Sequence, residues 1–324
     1  MKTVKVGLLG FGNVGMGTYK TLEMNKDHIK KQTGVDIEIT KILVSNINKD
    51  RGVALPDGTL TTNADDILNN KDIDIVVEVL GGIEPASSYM LKALNNGKHV
   101  ATANKAAVAE NFAALNEAAK NNNVLLKLEA CVAGGIPILH PLTTVLQANQ
   151  FDEILGILNG TTNYIMTQMT EFGLDYNDVL KDAQEKGFAE ADPTADVEGL
   201  DVANKLSILM ALAFDKYVHP SDIPTVGISK ITPEEIQAAK EENCKIKLIA
   251  SAKKVGDNLE YEVKPMKLPV DHPLAGVSNE FNAVFVKGNA VDDLMFYGKG
   301  AGPLPTGSAV MGDVLEIAKV VAKA

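Results

Sequence analysis

Residues 4–15 read VKVGLLGFGNVG, an apolar run that closes in three glycines spaced as GxGxxG. Val4 to Leu9 fits a short strand and Met16 to Lys31 a helix, so Gly10, Gly12 and Gly15 fall at a strand-to-helix turn. That context lifts the pattern above a chance match. Gly10 permits the tight turn, Gly12 leaves room for a pyrophosphate, and Gly15 allows close helix packing while N–H groups of the first helical turn face the anion. The loop predicts a dinucleotide site on Gly10, Phe11, Gly12, Asn13, Val14 and Gly15. The competing reading is a glycine turn in an unrelated α/β protein.

Working outward, strand candidates at 35–44, 74–80, 99–102 and 124–128 alternate with helical stretches at 85–95 and 105–120. The run 74–80 is almost purely apolar, as expected of a parallel strand covered on both faces. This order predicts an α/β fold, with a Rossmann-type doubly wound parallel sheet over residues 1–130. Past residue 130 the pattern changes. Helical signals cover 137–149 and 161–214 with a strand at 151–158 between them, and period-two strands follow in KIKLIASAKKV, NLEYEVKPM and NAVFVKG. An α+β domain over 131–303 fits, with a closing helix in 304–324 that packs back on the first domain.

Composition narrows the function classes. A chain of 324 residues suits two domains, and its formal charge of −11 argues against affinity for nucleic acid or anionic membrane. The longest apolar stretches, such as LSILMALAF, fall short of the ~20 residues that span a bilayer. The start runs straight into a strand without a cleavage-site pattern, so a cytoplasmic protein is expected. Cys131 and Cys244 are too few for a disulfide framework and sit in no metal-type cluster.

A second segment carries chemistry. Residues 187–205, GFAEADPTADVEGLDVANK, place Glu190, Asp192, Asp196, Glu198 and Asp201 ahead of Lys205, and the apolar LSILMALAF follows. A helix through this stretch is buried in its second half, with Asp201 and Lys205 one turn apart on one side. An arbitrary pair at this spacing is a solvated salt bridge. A lysine that leads into a core and is ringed by carboxylates instead suits a small polar substrate bearing its own ammonium.

TANK, residues 102–105, follows a strand, and ligands of open α/β sheets lie beyond such carboxyl ends. Lys105 is thus a second candidate cation, with a solvated helix-start lysine as the plainer reading. The preceding strand closes in EVLGG, 78–82, in the same crevice. After the second strand the chain reads Val44, Ser45, Asn46, without the carboxylate that would hold an NAD ribose, and then Lys49 and Arg51. A cationic loop suits a 2′-phosphate and favours NADP; ordinary loop charges are the alternative.

With EACVAGGIPI (129–138), NGTTNYI (159–165) and GKGAGPLPT (298–306), these motifs make the chain resemble homoserine dehydrogenase over essentially its whole length. The resemblance implies reversible, nicotinamide-dependent reduction of L-aspartate 4-semialdehyde to L-homoserine, in threonine, methionine and isoleucine biosynthesis, by a homodimer or homotetramer whose second domain carries the dimerising sheet. It also implies Lys205 as proton donor, Lys105 as second active-site lysine, and Glu190 and Asp201 as anchors of the substrate's amino acid group. Asn159, Gly160 and Thr161 would line the substrate side, and Ser45, Thr102, Lys105 and Gly302, with Gly300, the cofactor side. Asp196 would support the lysines.

The backbone around Glu129, Val132, Gly134 and Ile136 matches the family's sodium site, whereas a plain Gly-Gly hinge explains the same letters. Many members carry an arginine where this chain has Ser45, so NAD stays open beside NADP. Many also continue into a C-terminal ACT domain; the short form is expected here. Two rivals remain: an acylating semialdehyde dehydrogenase with Cys131 as nucleophile, and a non-catalytic dinucleotide sensor.

Overall fold

The computed structural model describes residues 2–323; Met1 and Ala324, the outer ends of the expected ranges, lie outside the described residues. The chain forms two compact units. One runs to Gly135 and resumes at Gly302, and the other is Ile136–Ala301.

The first unit opens with β1 (Thr3–Leu9), α1 (Asn13–Thr33), β2 (Asp36–Leu43), β3 (Leu60–Thr61), α2 (Asp65–Leu68), β4 (Ile75–Glu78) and α3 (Ala86–Asn95), followed by β5 (His99–Thr102), α4 (Lys105–Glu110), α5 (Phe112–Asn121) and β6 (Leu126–Lys127). Its strands make one parallel sheet in the order β3-β2-β1-β4-β5-β6. That is the dinucleotide-binding order, with the chain reversing direction between β1 and β4. Val4, Val6, Leu8, Ile75 and Val77 bury one face of the sheet under Leu22 of α1 and under Val310, Val314 and Ile317.

The expected helix at 105–120 is two helices. Asn111 ends the first, its amide donating to the Ala107 carbonyl one turn back, a side-chain bond that competes with the helical ladder.

The second unit contains α6 (Leu139–Thr143), β7 (Phe151–Ile157), α7 (Gly160–Phe172), α8 (Tyr176–Glu185), α9 (Thr194–Val197), α10 (Leu200–Ala213), α11 (Pro233–Glu241), β8 (Cys244–Val255), β9 (Asn258–Pro269), β10 (Phe281–Gly288) and β11 (Asp292–Lys299). Its five strands form an antiparallel sheet in the order β11-β10-β7-β8-β9. Leu155, Ile157, Ile249, Ala283 and Phe285 pack there against Leu274, Ala275 and Val277.

Two sequence expectations fail in this unit, and one strand went unread. Residues 137–149 hold only the short α6, because Pro137 and Pro141 limit the ladder. The long helical stretch 161–214 breaks into four helices, since Gly173, Gly187 and Gly199 take left-handed φ of 67°, 77° and 81°. β11 lacked the alternation that would have flagged it. The last helix, α12 (Pro303–Val321), belongs to the first unit and lies along α1.

Candidate active site

In the first unit the glycine loop turns directly off β1. Gly10 has φ +106°, and a Cβ on it would lie 2.8 Å from the Val79 carbonyl oxygen, so only glycine fits. A Cβ on Gly15 would overlap the Gly10 carbonyl, whereas one on Gly12 would meet nothing within 4 Å. Gly12 therefore fronts open space, and α1 starts at Asn13 with its N–H groups beside it. A cleft of about 480 Å³ lies there, lined by Gly10, Phe11, Gly12, Ser45, Lys49 and Arg51 among others. Arg51 donates to the Lys49 and Asn46 carbonyls, both at 2.6 Å, which folds the cationic loop at the mouth of the cleft.

At the carboxyl ends of β4 and β5 stands Glu78, which the sequence placed in the crevice within EVLGG but gave no role. Glu78 is fully buried, accepts from Thr102 Oγ1 at 2.7 Å and from the Leu80 N–H at 2.8 Å, and has Asn104 Nδ2 at 3.4 Å. Burial pushes its carboxyl up, against the pull of those hydrogen bonds. The signal was an acidic residue inside an apolar strand. Thr102, expected on the cofactor side, gives its hydroxyl to Glu78. Asn104 donates to Gly82 O and caps α4, whose first residue is the half-buried Lys105.

Cys131 is buried with its thiol donating to Thr102 O at 3.3 Å. Burial, with Asp313 and Glu78 nearby, pushes the thiol well up, so it is held protonated. That counts against it as a nucleophile.

In the second unit the acidic segment folds back on the first turn of α7. Lys205 Nζ donates to Asp201 Oδ2 and to Leu158 O, both at 2.6 Å, and the side chains of the pair are 10% and 8% exposed. Asn159, the N-cap of α7, reaches the same Asp201 Oδ2 at 2.9 Å and Asp196 Oδ1 at 2.7 Å. Thr161 donates to Phe188 O at 2.6 Å and lies 3.4 Å from Asp196 Oδ2. A Cβ on Gly160 would sit 2.8 Å from Glu280 O, which reserves that position for glycine.

Asp196, Asn159, Thr161, Asp201 and Lys205 thus form one polar knot, buried except at the half-buried Asp196. Glu190 is not in it: it is exposed on the loop after α8, where its main-chain oxygen accepts from Gln184.

The stretch from Glu129 begins as a 3-10 turn and passes through left-handed Ala133 and Gly134. Glu129 N donates to the buried Asp313 of α12, whose carboxyl burial and the Glu129 charge push well up. Buried acid beside a carbonyl-rich turn fits a hard cation in chemistry. Among the described residues no group of three or more His, Cys, Asp or Glu could hold a metal, so an ion here would rest on main-chain oxygens. Gly302, with φ +120°, is the N-cap of α12.

Comparison with known proteins gives two family models, "Homoserine dehydrogenase" over residues 137–315 and "Homoserine dehydrogenase, NAD binding domain" over residues 10–129. The homoserine dehydrogenase of Bacillus subtilis is 46% identical over 319 residues, covering 98% of this chain and 74% of its own length. That of Corynebacterium glutamicum is 45% identical, with 98% and 72% covered. The crystal structure of a homoserine dehydrogenase from Thiobacillus denitrificans superposes with a TM-score of 0.96 at 42% identity, covering 99% of this chain and 74% of that one.

Proposed function

The chain belongs to the homoserine dehydrogenase family, and from that premise we propose which of its residues perform the oxidoreduction of L-homoserine and L-aspartate 4-semialdehyde. The nicotinamide, when bound, supplies or takes up the hydride. Gly10, Phe11, Gly12, Asn13, Val14 and Gly15 hold its pyrophosphate in this reading, while Ser45 lies at the ribose and Thr102, Lys105 and Gly302 complete the cofactor side. Lys49 and Arg51 at the cleft favour a 2′-phosphate, hence NADP over NAD.

The observation that carries the substrate half is the Asn159–Asp201–Lys205 knot. Two hydrogen bonds aim the Lys205 ammonium, which donates its proton to the oxygen that gains charge as the aldehyde is reduced and stabilises that charge first. Asp201 pairs with the substrate ammonium, fixing which face of the aldehyde is presented. Gly160 and Thr161 line the same side, and Lys105 assists in proton transfer. Glu190 supplies the second carboxylate, and its exposed loop must fold toward Asp201 to do so.

A sodium ion on the main-chain oxygens of Glu129, Val132, Gly134 and Ile136 would order that turn and takes no part in the reaction. The protein works as a cytoplasmic homodimer or homotetramer, without nucleic-acid or membrane partners. Half-exposed Met295 and Tyr297 on the edge strand β11 support self-association through the second unit's sheet. The net charge of −11 opposes polyanions, and among the described residues no helix is long and apolar enough to cross a membrane.

Lys205→Met and Asp201→Asn test the assignment. Lys205→Met should keep dinucleotide affinity and lose about 10²- to 10⁴-fold in kcat, as for a lost proton donor. Asp201→Asn should chiefly raise KM for homoserine. Unchanged kcat in the first variant removes Lys205 from the mechanism.

A further inference from the structure

Lys247 lies in β8 with 3% of its surface exposed, the lowest value among the buried lysines of the described residues. Its strand neighbours Ile246, Leu248 and Ile249 are apolar core, so an aliphatic residue would cost less there than a desolvated ammonium. Among the described residues no carboxylate lies within ion-pairing distance; Lys245 repels the charge and Glu171 opposes that repulsion from α7. Burial brings the group down to about 8.

What holds the ammonium is a set of neutral acceptors. They are Val277 O at 2.7 Å, Asn163 Oδ1 at 2.9 Å and Thr167 Oγ1 at 3.5 Å. With its oxygen taken by Lys247, the Asn163 amide can only point its Nδ2 outward, where it donates to Phe281 O at 2.9 Å and Val277 O at 3.3 Å. Thr167 Oγ1 accepts from Asn279 N at 3.0 Å and donates to Asn163 O at 2.7 Å. The segment 277–281 therefore hangs on α7 through Asn163 and Thr167, and one buried cation grips both of them together with Val277 O. On that segment sits Glu280, whose carbonyl leaves no room for a Cβ on Gly160.

We propose that Lys247 is a positioning residue for the homoserine subsite, locking Asn163 and segment 277–281 so that Asn159, Gly160 and Thr161 present fixed groups to the substrate. The inference rests on the reading of the first turn of α7 as substrate-binding. Lys247 touches no substrate. It acts through Asn163, and its loss lets the 280 carbonyl and the Gly160 backbone drift apart.

The test is steady-state kinetics of L-homoserine oxidation on Lys247→Met, Asn163→Leu and the double variant, with Asp201→Asn as reference and thermal melts alongside. Lys247→Met should raise KM for homoserine about tenfold, the scale of losing one or two hydrogen bonds to a charged group, with dinucleotide KM unchanged. The double variant should be no worse than Asn163→Leu, because Lys247 acts through Asn163. Lys247→Arg, which keeps the donors, should recover part of the loss and carries the test should the methionine variant fail to fold. A lower melting temperature with unchanged homoserine KM overturns the proposal, as do additive effects of the two single variants. Should Asp201→Asn leave KM unchanged, the substrate-site reading itself falls; should it raise KM while Lys247→Met does not, the Lys247 inference alone falls.

Discussion

Lys205 and Lys247 are both buried lysines, yet they are held in opposite ways. Lys205 shares an ion pair with Asp201, whereas Lys247 meets only neutral oxygens, and that difference has a pH signature. The ordinary lysine value is 10.5 and the folded value about 8. Between the two the unfolded chain keeps a proton the folded chain has lost, so stability rises with pH across that window and is flat below it. Relative to Lys247→Met, the wild type should gain up to about 3 kcal/mol from about pH 8 to about pH 10.5, read from denaturant midpoints of both proteins. A wild-type stability that stays level or falls relative to Lys247→Met over that range contradicts the assignment.

The pairing of Asp201 with Lys205 was legible in the sequence, because four residues are one helical turn. The link of Asn159 to Asp201 and Asp196 was not, since it joins residues 42 and 37 apart and depends on how α7 packs against α9, and α9 against α10. Glu78 was legible in retrospect as a charge within an apolar strand, but its partners are Thr102 at the end of the next strand and Asn104 at the cap of α4.

Among the elements, α1 and α12 show what small residues are for. A Cβ on Gly17 would overlap the Pro303 carbonyl, and one on Gly307 would overlap the Gly17 backbone, so the two helices touch main chain to main chain. Alanine at Gly17 should gain about 1 kcal/mol in helix propensity and lose about 1–3 kcal/mol to overpacking, a net drop in melting temperature. A raised melting temperature for Gly17→Ala would show that the contact relaxes freely.

Strand β1, the glycine turn and the buried half of α10 were readable because periodicity and burial agreed. Boundaries inside 137–149 and 161–214 were not, because prolines and left-handed glycines ended helices that composition alone would have continued.

For the whole molecule, the parallel sheet places the glycine loop, the EVLGG turn and TANK at the carboxyl ends of β1, β4 and β5, where open α/β sheets bind their ligands. The second unit keeps a largely buried polar knot at the first turns of α10, a costly arrangement unless every member is bonded, and its members are bonded to one another. One unit thus offers a dinucleotide cleft and the other a lysine with carboxylates. The most direct measurement is the formation of reduced nicotinamide when the purified chain meets L-homoserine, run in parallel with NADP and NAD. The account predicts turnover with homoserine, faster with NADP at limiting cofactor, and none with an analogue lacking the amino group. No reduced cofactor with either dinucleotide would contradict it.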